Sequence, residues 1–285
     1  MSFLFLALFG TAFLGAITFD LFGKDDTSDS APQTEETAEN LTFDGSETLE
    51  GTEGNDTLAA GQDEDLAPET VNLLGGDDTA VIDLPFDITV NGGDGDDTLS
   101  STTVGNTLNG DAGNDTLTGI DATNLYGGAG DDHLIFNSDV ELNDSVARID
   151  GGDGDDQIDV FADAGVNTFD RGGAIILGGN GSDDFNVILD LQNSQESSNS
   201  LSTSVARIND FNPDEDSIRI EIERNDATAD RDIVVELDQT EENGSFTSQI
   251  TLTFAETLVA TQAMATITII SNAAFTLDEI QLVGV

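Results

Sequence analysis

Six aspartates occupy one fixed place in a recurring nonapeptide. The copies read GTEGNDTLA at 51–59, GGDGDDTLS at 92–100, GDAGNDTLT at 110–118, GGAGDDHLI at 127–135, GGDGDDQID at 151–159 and GGNGSDDFN at 178–186. Each fits G-G/x-x-G-x-D-x-U-x, where U is apolar, and the sixth-position acids are Asp56, Asp97, Asp115, Asp132, Asp156 and Asp183. A carboxylate supplies hard anionic oxygen. The glycines allow positive φ and remove side chains where neighbouring loops approach, so that main-chain carbonyls can converge beside the acids. A shorter piece, GGDDTAVI at 75–82, puts Asp78 in the acidic place with two residues missing from its loop.

A cavity of carboxylates and carbonyls, with no nitrogen or sulfur donor, suits Ca²⁺, which takes about 6–8 oxygens in forgiving geometry. Mg²⁺ demands a smaller octahedron. The chain has no cysteine and one histidine, His133, which removes thiolate zinc sites and any site needing two imidazoles. His133 lies between Asp132 and Leu134, where side chains should point outward, and Tyr126 reads as an edge or core filler beside Leu125. Catalytic signatures are missing: there is no HExxH, no GxSxG and no basic cradle for phosphate, so the reading is of a non-enzyme with no catalytic residues. With 58 acidic residues against 7 basic ones the formal net charge is −51, which disfavours nucleic acid as a partner.

Something must hold these loops in place. The copies at 92, 110 and 127 start 18 and 17 residues apart, and the gaps hold the degenerate units STTVGNTLN at 101–109 and GIDATNLY at 119–126. An apolar ladder runs through both kinds of unit: Leu99, Leu108, Leu117, Leu125, Leu134. A nine-residue unit cannot bury its own apolar side chain, so neighbours must stack into a solenoid. Two units per coil put alternate units in parallel register about 4.8 Å apart. All full loops then fall on one edge, each ion joins two coils, and its binding energy becomes folding energy. On the opposite edge GVNTF at 165–169 places Phe169, while DVELNDSVAR at 139–148 is a bulge and DRGGAIIL at 170–177 a turn plus strand.

Composition divides the rest. Residues 1–23 are strongly apolar, uncharged before Asp20 and without a basic leader, so a short membrane anchor, a degenerate signal peptide and a lipid-surface helix all fit, with membrane contact through residues 1–19. Residues 24–40 read as an acidic disordered linker, 41–190 as the roll and 191–204 as a polar linker. Residues 205–285 read as a separate antiparallel β module, with SIRIEIE, DIVVELD, QITLTF and ATITII as strands.

The nonapeptides resemble those of RTX (repeats-in-toxin) proteins, the hemolysin-type calcium-binding repeat, over roughly residues 45–190. The resemblance implies an all-β fold, a right-handed parallel β-roll (β-solenoid) with calcium between coils, followed by a C-terminal β-rich capping module. It assigns the metal carboxylates to Asp56, Asp97, Asp115, Asp132, Asp156 and Asp183, with Gly54, Gly95, Gly113, Gly130, Gly154 and Gly181 shaping the loops. It also implies an extracellular protein exported by a type I secretion apparatus. VARINDFNPDEDSIRIEI at 205–222 looks like the element that closes such rolls, marked by Asp210, Phe211 and Asp216, and the final FTLDEIQLVGV looks similar to an uncleaved export signal. Full and degenerate units alternate here, so the chain should bind about half as many ions per coil as a tandem block. A surface protein or glycan is the further partner expected if the molecule is adhesive.

Overall fold

The computed structural model describes residues 38–84, 87–138, 146–163, 174–190, 201–224, 232–255 and 263–284. The hydrophobic segment 1–23, nearly all of the acidic linker, most of the 139–148 bulge, Phe169 and residues 191–200 of the polar linker lie outside the described residues. Twenty-one strands follow one another, beginning with β1 (Asn40–Leu41), β2 (Thr48–Thr52), β3 (Thr57–Leu58), β4 (Thr70–Leu74), β5 (Thr79–Ile82), β6 (Thr89–Asp94) and β7 (Thr98–Ser101). The middle of the chain gives β8 (Thr107–Ala112), β9 (Thr116–Ile120), β10 (Asn124–Ala129), β11 (His133–Ser138), β12 (Arg148–Asp153), β13 (Gln157–Asp163) and β14 (Ala174–Asn180). Last come β15 (Asp184–Asp190), β16 (Leu201–Phe211), β17 (Ser217–Glu223), β18 (Ile233–Glu242), β19 (Ser245–Phe254), β20 (Ala263–Ser271) and β21 (Gln281–Val283).

Odd-numbered strands through β17, with β21, form a ten-stranded sheet; even-numbered strands, with β19, form an 11-stranded one. Successive strands therefore alternate between two facing sheets, and strands two apart pair in parallel. This is a parallel β-roll. Its ladder is the apolar one: Leu99 pairs with Leu117 and Leu117 with Leu134 in one sheet, while Leu108 pairs with Leu125 in the other. All five leucines are fully buried. The threonine before each of Leu99, Leu108 and Leu117 points outward, where a β-branched side chain suits the pleated surface.

The roll thickens along its length. In β6, β8, β10 and β12 the inward positions hold one large residue and one glycine, as in Leu108 and Gly110. In β15 and β17 three large residues face inward: Phe185, Val187 and Leu189, then Ile218, Ile220 and Ile222. Phe211 and Phe275 extend the thick end, with ring centroids 6.2 Å from Phe185 to Phe211 and 5.4 Å from Phe211 to Phe275, both edge-to-face.

The C-terminal strands differ from the expected separate antiparallel module. β16 pairs with β14 and β17 with β15, both parallel, and β20 and β21 continue the same two sheets. Only β18, β19 and the β19–β20 pairing are antiparallel, and Leu201 already belongs to a roll strand rather than to a linker. Alternation of apolar and polar residues reports that one face is buried. It does not encode the direction of the neighbouring strand.

Candidate metal centre

Every full-motif loop leads from an even strand to the following odd one, so the loops stack along one edge. Within that stack the sixth-position aspartates form a column. The amide of Asp56 donates to Asp78 Oδ1 at 2.6 Å, that of Asp78 to Asp97 at 2.8 Å, that of Asp97 to Asp115 at 2.7 Å and that of Asp115 to Asp132 at 2.8 Å. Asp132, Asp156 and Asp183 donate in turn to Asp156, Asp183 and Asp216 at 2.9, 3.0 and 3.1 Å. All six predicted aspartates are in this column, and Asp78 and Asp216 join them. Sequence separations run from 17 to 33 residues for the same contact, so the loops keep one contact whatever the length of chain between them.

The second oxygen has a different environment. Oδ2 of Asp78, Asp97, Asp115, Asp132 and Asp156 is buried with no hydrogen-bond partner, in residues at most 2% exposed. A Cβ placed on Gly92 would meet Asp97 Oδ2 and, 2.7 Å away, the carbonyl oxygen of Gly110 in the next coil. The same arrangement recurs at Gly110, where the Gly127 carbonyl lies 2.5 Å away, and at Gly151, where the Gly178 carbonyl does. The orphaned oxygens of Asp97, Asp115, Asp132 and Asp156 thus each face a cradle lined by a main-chain oxygen. Burial pushes the carboxyls of Asp97, Asp132 and Asp183 up to about 7 and those of Asp78, Asp115 and Asp156 up to about 6, partly opposed by the amide bond each accepts, with nearby aspartates adding to the rise.

A proton or a cation relieves such an oxygen, and an all-oxygen cradle fits a hard divalent ion. Among the described residues no three His, Cys, Asp or Glu side chains converge, so main-chain carbonyls would have to complete the coordination, as Ca²⁺ accepts and Zn²⁺ does not. The fourth loop position shows how tightly the coils approach. Gly95, Gly113, Gly130, Gly154 and Gly181 have φ between +131° and +144°, and a Cβ on any of them would run into the carbonyl of the equivalent glycine one coil earlier.

Four features were not foreseen. The Asp78 loop is full length, not contracted: Leu73 and Leu74 fill the first two positions, Leu74 in the left-handed region at φ +81°, and the Leu73 carbonyl faces Gly51 as a glycine carbonyl would. A second ladder runs outside the first through the fifth position, Asp96 to Asp77 at 3.2 Å, Asn114 to Asp96 at 2.8 Å and Asp131 to Asn114 at 2.8 Å; its signal was the Asp or Asn that precedes the sixth-position acid in the copies from Asp56 to Asp156. On the other edge Asn106 copies the aspartate geometry without charge, its Oδ1 accepting from the Ile88 amide at 3.0 Å while its Nδ2 donates to Ser101 Oγ at 2.9 Å and Thr103 Oγ1 at 3.1 Å. Finally, Asp56 accepts the Thr52 amide on Oδ2 at 2.6 Å, and Asp216 accepts the Asn212 amide on Oδ2 at 2.7 Å.

Comparison with protein families matches residues 41–66, 89–102, 101–119 and 122–139 to the RTX calcium-binding nonapeptide repeat. The chain carries RTX-type calcium-binding repeats. It binds Ca²⁺ through those repeats, and the RTX roll extends beyond the matched segments, because the loops ending at Asp78, Asp156 and Asp183 stand in the same column. No curated protein matches the chain. His133 lies on the outer sheet face of the RTX roll, Nε2 2.9 Å from Asp159 Oδ2. Tyr126 faces outward as well, half-buried on the other sheet rather than in the core, because it follows the inward Leu125.

Proposed function

We propose that the protein is an extracellular β-roll that calcium folds, with the aspartate column as its metal centre and the roll as a structural rather than catalytic body. The carrying observation is the set of buried, unpartnered Oδ2 atoms facing carbonyl oxygens of the next coil. Without a cation these gaps repel; with one they bind coil to coil. Extracellular calcium modules work at about 10⁻⁴–10⁻³ M, a level met outside cells and not in the cytosol, so the chain would pass a type I export channel unfolded and fold on release. No helix among the described residues is long and apolar enough to cross a membrane, and tethering through residues 1–19 would be a separate property of that segment.

The test is far-UV circular dichroism of the full chain under chelation. The β signal should fall on removing calcium and recover with calcium but not with equimolar magnesium, and a spectrum indifferent to chelation contradicts the reading. A second reading, an adhesive module engaging a surface protein or glycan, is favoured by β18, an edge strand of the 11-stranded sheet with Val234 exposed. Retention of the calcium-loaded protein on glycan or cell-surface arrays would support it, and no retention in millimolar calcium would remove it.

A further inference from the structure

The eight aspartates of the column are not equivalent, and the difference lies in the backbone four residues upstream. In the loops that end at Asp78, Asp97, Asp115, Asp132, Asp156 and Asp183 the second position is left-handed, with φ from +73° at Asp111 to +122° at Gly128. In the first five of these Oδ2 is buried without a partner; the sixth, at Asp183, shares the left-handed backbone at Gly179 (φ +108°) but opens on the last gap of the column. At the two ends of the column the second position is Thr52 or Asn212, neither with positive φ, and there the amide donates to the carboxylate. The Thr52 hydroxyl adds a bond to Asp56 Oδ1 at 3.1 Å. Since φ is the rotation about N–Cα, its sign sets where that N–H points relative to the acid four residues on. A carboxylate that already holds an amide hydrogen lacks the free oxygen a cation needs.

The last gap is closed in a second way. Phe211 stands where the other loops have a first-position glycine or Leu73, and its ring packs against Phe185. The carboxylate of Asp210 accepts from the Gly178 and Gly179 amides at 3.1 Å each. A Cβ on Gly178 would meet Asp183 Oδ2 and the Phe185 ring, with no next-coil carbonyl among its nearest neighbours.

We propose that calcium occupies the five gaps opening between Asp78 and Asp183, and that both ends of the column are closed by their own backbone. The repeat pattern points elsewhere: it includes GTEGND at 51–56 and passes over LLGGDD at 73–78. This assignment rests on the aspartate column being the calcium site.

Counting ions on the full chain by native mass spectrometry, with equilibrium dialysis against calcium as a check, tests it. Wild type should bind five ions, Asp56→Asn should still bind five, and Asp78→Asn should bind four. Thr52→Gly, which frees the second position to become left-handed and removes the hydroxyl, should add a sixth. Circular dichroism in saturating calcium establishes that each variant is folded, and both Asp→Asn changes preserve shape. A count that falls with Asp56→Asn but not with Asp78→Asn, or that stays at five in Thr52→Gly, overturns the assignment while leaving the column as the calcium site. A wild-type chain that binds no calcium overturns both.

Discussion

At the scale of single residues, the sixth-position aspartates from Asp78 to Asp156 act through two oxygens with opposite needs. Oδ1 is satisfied by an amide of the preceding coil whatever the metal state, whereas Oδ2 requires a proton or a cation. The raised carboxyls fix the sign of the pH dependence. They bind protons more tightly in the folded, metal-free chain than in the unfolded one, so their contribution is fully present below about pH 4 and is lost as pH rises through 6 to 7. In chelator the melting temperature should therefore be higher near about pH 5 than near about pH 8. Calcium affinity should run the other way, weakening on acidification as protons compete for Oδ2; melting temperatures that climb with pH in chelator contradict this picture. Leu74 offers a cleaner residue-level test. It is 40% exposed and left-handed, a conformation that costs an L-residue about 1–2 kcal/mol, so Leu74→Gly should stabilise the calcium-loaded protein by about 1 kcal/mol in a denaturant titration after the entropy cost of glycine.

Elements tell why the two edges differ. The loop edge uses charge and needs a counter-ion; the opposite edge uses the Asn106 amide, which carries acceptor and donor in one neutral group. Asn106→Ala strands the Ile88 amide and should cost about 1–3 kcal/mol while leaving the number of bound ions unchanged; a lost ion would show that the edges are not independent. Nonapeptide spacing made the coil architecture legible, since it fixes which leucines share a ladder and which loops share an edge. Two things were illegible for physical reasons. The Asp78 loop looked short because its first two positions hold leucines, and the backbone there follows the stacking of its neighbours rather than its own residue preferences. Strand direction after residue 205 could not be read either, because SIRIEIE alternates in the same way in a parallel coil as in an antiparallel hairpin.

For the molecule as a whole, stability is graded. Five calcium ions carry ten positive charges against a formal −51, so metal cannot abolish the chain's overall repulsion and must act locally, gap by gap. In β6, β8, β10 and β12 one large inward residue is paired with a glycine, and these coils depend on those gaps, whereas β15 and β17 bury three large residues each. At about 25 cal/mol per Å² of apolar surface, the thick end holds cohesion that owes nothing to metal. Hydrogen exchange in chelator should then leave the amides of Ile218, Ile220 and Ile267 slow while those of Leu99, Leu108 and Leu117 become fast. Uniform loss of protection along the chain would show that the roll melts as one unit.

Spacing along the column has a practical side. Between one aspartate and the next the chain uses anywhere from 17 to 33 residues for the same amide bond, and the described surplus, as at 59–69 between β3 and β4, lies on the edge opposite the ions. That margin is where foreign peptide can be spliced. A tag or epitope grafted beyond Asp121 should be displayed without disturbing the metal stack, whereas one extra residue between Gly110 and Asp115 would throw every later coil out of step.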